Sequence, residues 1–395
     1  MPIKKIALVV SHPIQHFCPQ YASFAQNKLV EFKVLFASTL GLNKYVDPNF
    51  KKEIAWKTID LNQFDHVFLN GNKLIASNKD IDAPGLDGEL GSFKPDLVII
   101  YGYFQKLQRR AHRWAKRHGV RLAYISDSEL RQQRSLIKRW IKYLFIRIFF
   151  SEVNYFLSVG DANEEFYSYH GVKQIQMLRM HFPIDIANYS KSFEQKDSLR
   201  KNVREQYKID EGEVVLSVVG KLVFWKNQDH IIKAIAMLEK TGIYCHLFIV
   251  GSGETEEFLQ STAKILSKSK VHFTGFVDVE NLPAYYAATD IYVHPASVEP
   301  HSIAISEAIF MGCPVVVSNR SGSYGVTDDV QENKNGLVFE FGNVNELAAK
   351  LKSLIVDSDL RKRFTDHSIQ ISHRFQQQAH VGVLNDLVEK LSREL

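Results

Sequence analysis

Short apolar runs alternate with amphipathic stretches along most of this chain. Residues 6–10, IALVV, are aliphatic and β-branched and are closed by Ser11-His12-Pro13, the pattern of a buried parallel strand opening a domain. The same pattern predicts strands over 32–37, 97–101, 121–125 and 154–159, and helices over 105–119, 136–150 and 162–170. From 69 to 94, Pro, Gly, Asn and Asp interrupt every period, and the chain reads as loop. Strands and helices in alternation predict a parallel sheet covered on both faces.

Residues 181–190, HFPIDIANYS, hold a proline and no period, and read as an interdomain linker. A charged helix follows and the pattern restarts. Strands are predicted over 214–219, 244–250, 271–273, 291–294 and 315–318. Helices are predicted over 229–240, 255–268, 282–288, 301–311 and 345–356, and again toward the end of the chain. The fold class is α/β: two Rossmann-like domains, 1–185 and 191–379, each an open parallel sheet.

Composition agrees with this picture. The 395 residues suggest about two to three domains. Hydrophobic residues at 45% and charged residues at 24% exclude a disordered, collagenous or coiled-coil chain. The net charge of +5 suits anionic substrates or an anionic membrane surface and does not point to nucleic acid as a partner. Cys18, Cys245 and Cys313 form no CxxC and no zinc-spaced pair, so no disulfide framework or metal site is expected. The apolar run near the N-terminus is shorter than a signal-peptide core, and no segment approaches a membrane span. A cytoplasmic protein is expected, with peripheral contact at the inner face of the membrane.

The chemistry concentrates in residues 297–318, SVEPHSIAISEAIFMGCPVVVS. A strand delivers the chain to a loop carrying Glu299, and Pro300 suits a first helical turn. The helix start near His301–Ala304 offers unpaired N–H groups at the crevice beyond the strand ends, a phosphate-binding arrangement. Glu299 and Glu307, placed on one ideal helix, would differ by roughly 80° and about 12 Å. They therefore read as contacts to different parts of a long ligand, as acceptors for sugar or ribose hydroxyls, and not as a hydrolase dyad. The plain alternative is two solvated carboxylates. Lys221 and Lys226 flank the first strand-to-helix loop of the second half and suit a diphosphate, or are ordinary surface lysines. Gly251-Ser252-Gly253 indicates a tight turn and little else.

In this order, GKLVFWKNQ, FIVGSGE and VHFTGFVDVENLPAYYAATDIYVHPASVEPHSIAISEAIFMGCPVVVS resemble glycosyltransferase family 4 of the GT-B fold, with the Glu-x7-Glu signature on Glu299 and Glu307. The resemblance is strong over 214–340 and looser over 1–185, through SHPIQHF, DPNFKKEIAW and PDLVIIYGYF. It implies two domains facing across a cleft, with residues 380–395 crossing back onto the first. It implies a retaining, metal-independent transferase with a nucleotide-diphosphate sugar as co-substrate and no cofactor. Lys221 and Lys226 would bind the diphosphate, Lys221 standing where the family usually has arginine. Glu299 would touch the transferred sugar, and the amides of Ser302, Ile303 and Ala304 the distal phosphate. Glu307 would accept from the ribose, and Gly251, Gly275, Phe276 and Val277 would complete the donor site. His301-Ser302 replaces the family's usual Phe-Gly and bears on which sugar fits. The acceptor would be a glycan, a lipid-linked glycan or a small hydroxyl compound of cell-surface polysaccharide or glycoconjugate synthesis.

In the first half, His12, Gln15 and His16 follow the first strand, Tyr101 and Tyr103 a later one, and Asp127 another. All border the expected cleft as acceptor contacts, with Asp127 facing the sugar, or serve as structural turn residues. The basic run from Arg109 to Arg147, interleaved with Trp114, Trp140, Tyr143 and Phe145, reads as a membrane-facing surface or as helices burying an aromatic stripe. Asp80-Ile81-Asp82 and Asp357-Ser358-Asp359 spell a metal-site Asp-x-Asp but fall in loop or helix. A nucleotide-sugar epimerase and a non-catalytic sugar-nucleotide-binding subunit are the alternative functions.

Overall fold

The computed structural model describes residues 3–42, 45–47, 52–54, 59–131 and 136–393. Among the described residues nine strands fall in the first half: β1 Lys4–Val10, β2 Val30–Phe36, β3 Tyr45–Asp47, β4 Lys52–Ile54, β5 Asp65–Phe68, β6 Leu97–Tyr101, β7 Arg121–Ile125, β8 Tyr155–Ser158 and β9 Met177–Arg179. Seven of them form one sheet in the order β5-β2-β1-β6-β7-β8-β9, parallel throughout, while β3 and β4 pair as a small antiparallel ribbon. In DPNFKKEIAW, residues 48–51, 55 and 56 lie outside the described residues.

The second half contributes β10 Val215–Val219, β11 His246–Val250, β12 Lys270–Gly275, β13 Ile291–His294, β14 Val315–Ser318 and β15 Gly336–Phe339. They form a parallel sheet ordered β12-β11-β10-β13-β14-β15. The chain reverses direction across each sheet at β1/β6 and at β10/β13, the switch points beyond which ligands bind in open α/β sheets.

Strand periodicity builds the cores. Ile6, Leu8 and Val10 face one core and Ala7 and Val9 the other, so β1 is apolar at successive positions because both its faces are covered. The second sheet is sandwiched in the same way, with Val215 and Val219 on one side and Leu216 and Val218 on the other. The helix Gln377–Arg393 returns to the first half, where Leu384, Leu387, Val388 and Leu391 join the core and Asn27 Nδ2 donates to Asn385 Oδ1 at 2.7 Å.

Several elements differ from the sequence expectations. β5, β9 and β15, and the helix Leu86–Phe93, occupy stretches read as loop or left unassigned. The expected linker is half helix: Asp185 accepts from the Asn188 amide and caps the helix Ile186–Glu194. The remaining link, His181–Asp185, lies between the two halves, with the Phe182 ring stacked on Tyr101 from one side and edge-on to His301 on the other.

The halves also meet through the segment 320–329. Arg131 donates to the Ser321 carbonyl and, at 2.9 Å, to the Tyr324 carbonyl, with its guanidinium 3.7 Å from the Tyr324 ring centre. The Asp161 carboxylate accepts from the Thr327 amide at 2.8 Å, and the Asp161 amide donates to Asp328 Oδ2 at 2.5 Å. A Cβ on Gly160 would sit 2.3 Å from that Asp328 oxygen, so only glycine permits the approach.

Candidate donor site between two lobes

β10, β11 and β12 end side by side. The Gly220 amide donates to the Val250 carbonyl and the Gly251 amide to the Gly275 carbonyl, both at 2.9 Å. Gly251 has φ +141°, and a Cβ there would lie 1.9 Å from the Gly220 carbonyl oxygen. Gly251 is thus a packing glycine that brings two turns together at the ends of these strands. Gly275 (φ +68°) has open space where a Cβ would stand. Phe276 and Val277 after it are half-buried, Val277 against the core.

The turn after β10 carries Lys221 and Lys226. Its Phe224–Lys226 stretch is a short 3-10 turn ended by Asn227 at φ 52°. Two contacts clip this turn to the loop after β13: the Ser297 amide and hydroxyl donate to the Trp225 carbonyl at 2.9 and 3.0 Å. That clip sets the Lys226 ammonium on Glu299 Oε2. His294 Nε2 reaches the same oxygen at 2.9 Å, and the Tyr292 hydroxyl lies 3.3 Å from His294 Nδ1. An ionised carboxylate only accepts, so Nε2 carries an imidazole proton, while the Tyr292 hydroxyl lies between His294 Nδ1 and the Val219 carbonyl. Burial raises the Glu299 carboxyl, but the His294 hydrogen bond and the adjacent positive charge outweigh it and hold it at about 2.

The two glutamates are not on one helix. Glu299 lies outside it, in an isolated bridge with Ser321, and its carbonyl accepts from the Gly322 amide at 2.8 Å. The helix begins at Ile303, so Pro300 precedes it and the ideal-helix geometry between Glu299 and Glu307 does not apply. Glu307 is buried, the Glu299 side chain is 13% exposed, and both are partnered, which removes the solvated alternative. Tyr286 donates to Glu307 Oε2 at 2.9 Å with Tyr189 beside it, and burial pushes the Glu307 carboxyl up to about 7.

At the helix start the Ser302 amide donates to Ser323 Oγ at 2.8 Å. The first helical bonds come from the Ile305 and Ser306 amides to the Ser302 carbonyl, which leaves the amides of Ile303 and Ala304 ahead of the ladder. His301 is buried, with Nε2 3.3 Å from Asp329 Oδ2. Asp329 also meets His181 Nδ1 at 3.3 Å and Arg374 at 3.8 Å, and accepts from Ser306 Oγ at 2.7 Å. Ligand atoms of His301, Asp328 and Asp329 lie within 4.8 Å of one another, a grouping that can hold a metal ion. Here Asp328 accepts backbone amides on both oxygens and Asp329 faces three basic side chains, so the cluster is an ion-pair junction.

From the first half, Asp127 comes to this site. Its carboxyl is raised by burial and further by the Glu299 charge, while His301 opposes the rise. Tyr101 lies within the field of Asp127 and lines a pocket with His12. Gln15 lines a separate cavity beside Asp185, and the Tyr103 ring packs near Phe145 and Phe149. His16 lies against Phe17, and burial lowers it to about 4. The structure therefore sets Lys226 on Glu299 and brings Asp127 within the electrostatic reach of Glu299 and His301. Sequence reading missed Tyr292, His294 and Tyr286. The alternation of Tyr292 and His294 along β13 was the available signal, since it puts both on one face.

Residues 200–370 match the family model described as "Glycosyl transferases group 1". Over 175 residues the chain is 31% identical to a GDP-mannose-dependent alpha-(1-6)-phosphatidylinositol monomannoside mannosyltransferase of Mycobacterium tuberculosis, covering 42% of this chain and 44% of that protein. The chain spans less than half the length of the curated relatives it matches first. Among solved structures, sucrose-phosphate synthase of Thermosynechococcus elongatus superposes with a TM-score of 0.72 at 15% identity, over 99% of this chain and 100% of that one. Anabaena HepE in complex with UDP superposes with a TM-score of 0.68 at 17% identity, over 99% and 100%. The likeness reaches across both sheets, while the sequence match covers the half holding Lys226, Glu299 and Glu307: residues 200–370 of this chain are a glycosyl transferases group 1 domain, within a two-lobed GT-B fold.

Proposed function

We propose that this chain is a retaining glycosyltransferase that moves a sugar from a nucleotide-diphosphate sugar to a hydroxyl acceptor. The observation that carries it is the pairing of Lys226 with Glu299 beside the amides of Ile303 and Ala304, with Glu307 buried behind. Lys221, Lys226 and the helix start supply positive charge where a leaving diphosphate gathers negative charge, without a metal. Glu299 accepts from the sugar hydroxyls, Glu307 from the ribose, and Gly275, Phe276 and Val277 flank the base. The acceptor hydroxyl attacks on the face the diphosphate leaves and passes its proton to the departing phosphate oxygen. Asp127 lies where the two substrates meet. Supporting the donor class, a relative is named for GDP-mannose and neighbouring HepE structures hold UDP and UDP-glucose.

The acceptor is a glycan or lipid-linked glycan of cell-surface polysaccharide or glycoconjugate synthesis, met at the inner face of the membrane. Among the described residues no helix is long and apolar enough to cross a membrane. The helix Leu136–Phe150 instead exposes Trp140, Ile141, Leu144, Phe145 and Ile148 beside basic residues, a surface that suits an anionic bilayer. A thermal-shift panel of UDP-, GDP- and ADP-sugars tests the donor reading. At least one should raise Tm through mass action, with the shift lost in Lys226→Ala. A panel with no shift overturns the proposal.

A further inference from the structure

The carboxyl ends of β1 and β6 enclose a pocket of about 320 Å³ in the first lobe. None of its described lining residues carries a formal charge at neutral pH: burial lowers His12 to about 4, so its imidazole is neutral. The walls are aromatic and aliphatic, with Phe17 and Tyr101 on the inner side and Phe104, 63% exposed, at the mouth. The ring is available to stack on a ligand.

Two polar groups are set into this apolar wall. The first is His12. Gln105 Nε2 donates to Ser77 Oγ at 2.9 Å, Ser77 Oγ donates to Ser11 Oγ at 3.1 Å, and Ser11 Oγ meets His12 Nδ1 at 2.8 Å. An amide NH2 can only donate, so each hydroxyl passes its own hydrogen onward and the relay ends with Nδ1 accepting. The imidazole proton is therefore on Nε2, and His12 is a donor on its free side. The second is Gln108. Its side chain is 1% exposed and lines the pocket, and its Oε1 has no hydrogen-bond partner. A buried carbonyl oxygen without a donor is destabilising unless a ligand supplies one.

A donor and a waiting acceptor beside an aromatic face match a hydroxyl-bearing ring: a hydroxyl accepts from one group and donates to another, while the C–H face of the ring lies on Phe104. An anionic ligand would find no countercharge among these residues. We infer that this pocket binds an uncharged sugar ring of the acceptor, with His12 and Gln108 hydrogen-bonding its hydroxyls and Phe104 stacking against it. This rests on the transferase reading above and names the acceptor class for it. Tyr101 forms the shared wall: it lines the pocket and feels the charge of Asp127, which in turn senses Glu299. An acceptor ring here would lie on the side of the first lobe whose electrostatics reach Asp127 and, through it, Glu299. His12 acts as a positioning donor in this scheme and removes no proton.

The test uses the full chain and saturation-transfer NMR. Neutral probes are the methyl glycosides of glucose, galactose and mannose; anionic probes are glucose 6-phosphate and glucuronate. At least one neutral glycoside should show transfer that falls fivefold or more in Phe104→Ala, whose exposed side chain is removable without loss of the fold, and in Gln108→Leu. Transfer confined to the anionic probes, transfer unchanged in Phe104→Ala, or no transfer overturns the inference. Long-range 1H–15N correlation should show His12 as the Nε2–H tautomer, shifting toward a mixture in Gln105→Leu; an Nδ1–H form in the wild type overturns the relay. Calorimetry with UDP, GDP and ADP reads the other lobe separately. Diphosphate binding without glycoside transfer removes this inference alone, whereas a protein that binds none of the three nucleotides removes the transferase reading.

Discussion

Lys226 and Glu299 form an ion pair that is held from behind, because His294 Nε2 binds the same carboxylate oxygen at 2.9 Å. The lysine is thus aimed before any diphosphate arrives, and His294 remains to hold Glu299 when the ammonium turns to phosphate. Lys226→Ala should lower kcat/KM by about 10²–10³, the usual cost of one aimed electrostatic group, with Lys226→Arg keeping part of it. Glu299→Ala should cut turnover more than Glu299→Gln, which still offers an oxygen to His294 and to the sugar. Nucleoside diphosphate release measures both. Full activity in Glu299→Ala and Glu299→Gln alike would remove Glu299 from the reaction.

Glu307 gives the site a pH dependence. Burial raises its carboxyl from the usual 4.5 to about 7. A raised folded-state value means that the native protein holds more protons than the unfolded chain between those limits, so stability falls as pH rises from 4.5 to 7. The full loss is on the order of 3 kcal/mol. Glu307→Gln should flatten Tm across that window. Ribose hydroxyls donate better to a carboxylate than to its acid, so nucleotide-sugar affinity should rise through pH 7 in the wild type and stay level in Glu307→Gln. Calorimetry with a nucleotide sugar, whose diphosphate does not titrate there, checks it.

The junction at Asp329 makes a second pH prediction, with a histidine and an aspartate of opposite sign. Burial disfavours charge on His301, but Asp329, then Asp328 and Asp127, hold it above its usual value of 6.5. Asp329 is held well below the usual carboxylate range by His181 and His301. The histidine contributes stability below pH 6.5 that disappears as pH rises through its folded-state value, and the aspartate contributes stability above about pH 3.8 that disappears on acidification. His301→Phe should lower Tm at pH 6, by as much as about 3–5 kcal/mol of stability, because it leaves a buried carboxylate with one partner fewer. It should also abolish the decline above pH 6.5. A Tm profile unchanged in shape would show that the pair is uncharged.

The central strands were legible because both faces of each sheet are covered, which makes β1, β6, β10, β13 and β14 mostly apolar at successive positions. The missed strands β5, β9 and β15 are all sheet edges, where one side of the ladder is unpaired and a short, partly polar segment suffices. The site divides in the same way. Lys226, Glu299 and Glu307 sit in one ordered stretch and could be read from spacing and resemblance. The junction could not: Asp328 and Asp329 look like turn acids until His181, His301 and Arg374 arrive from distant segments. His294 was read only as the last residue of a strand, because nothing local shows that Glu299 folds back onto it.

The helix Leu136–Phe150 buries Ile146, Phe149 and Phe150 in the first lobe and exposes a second apolar face. Trp140, Ile141, Leu144, Phe145 and Ile148, between 40% and 67% exposed, recur at helical spacing on that outer face. The idea that the aromatic stripe is simply core holds for Trp114, 4% exposed, and fails for Trp140 and Phe145. Arg147 is exposed on the same helix, and Arg113, Lys116 and Arg117 are exposed on the neighbouring Lys106–His118 helix. Apolar residues framed by cations match an anionic interface, each basic group adding about 1 kcal/mol near the surface. The protein should co-sediment with phosphatidylglycerol-containing vesicles at low salt and much less with pure phosphatidylcholine, and 0.5 M NaCl should weaken but not abolish the binding, since screening leaves the apolar term intact. Trp140→Ser combined with Ile148→Ser should reduce binding at least fivefold without lowering Tm, both side chains being outside the core. If the same variant instead dissolves a dimer seen by light scattering, a second copy of the chain covers this face and the membrane reading fails.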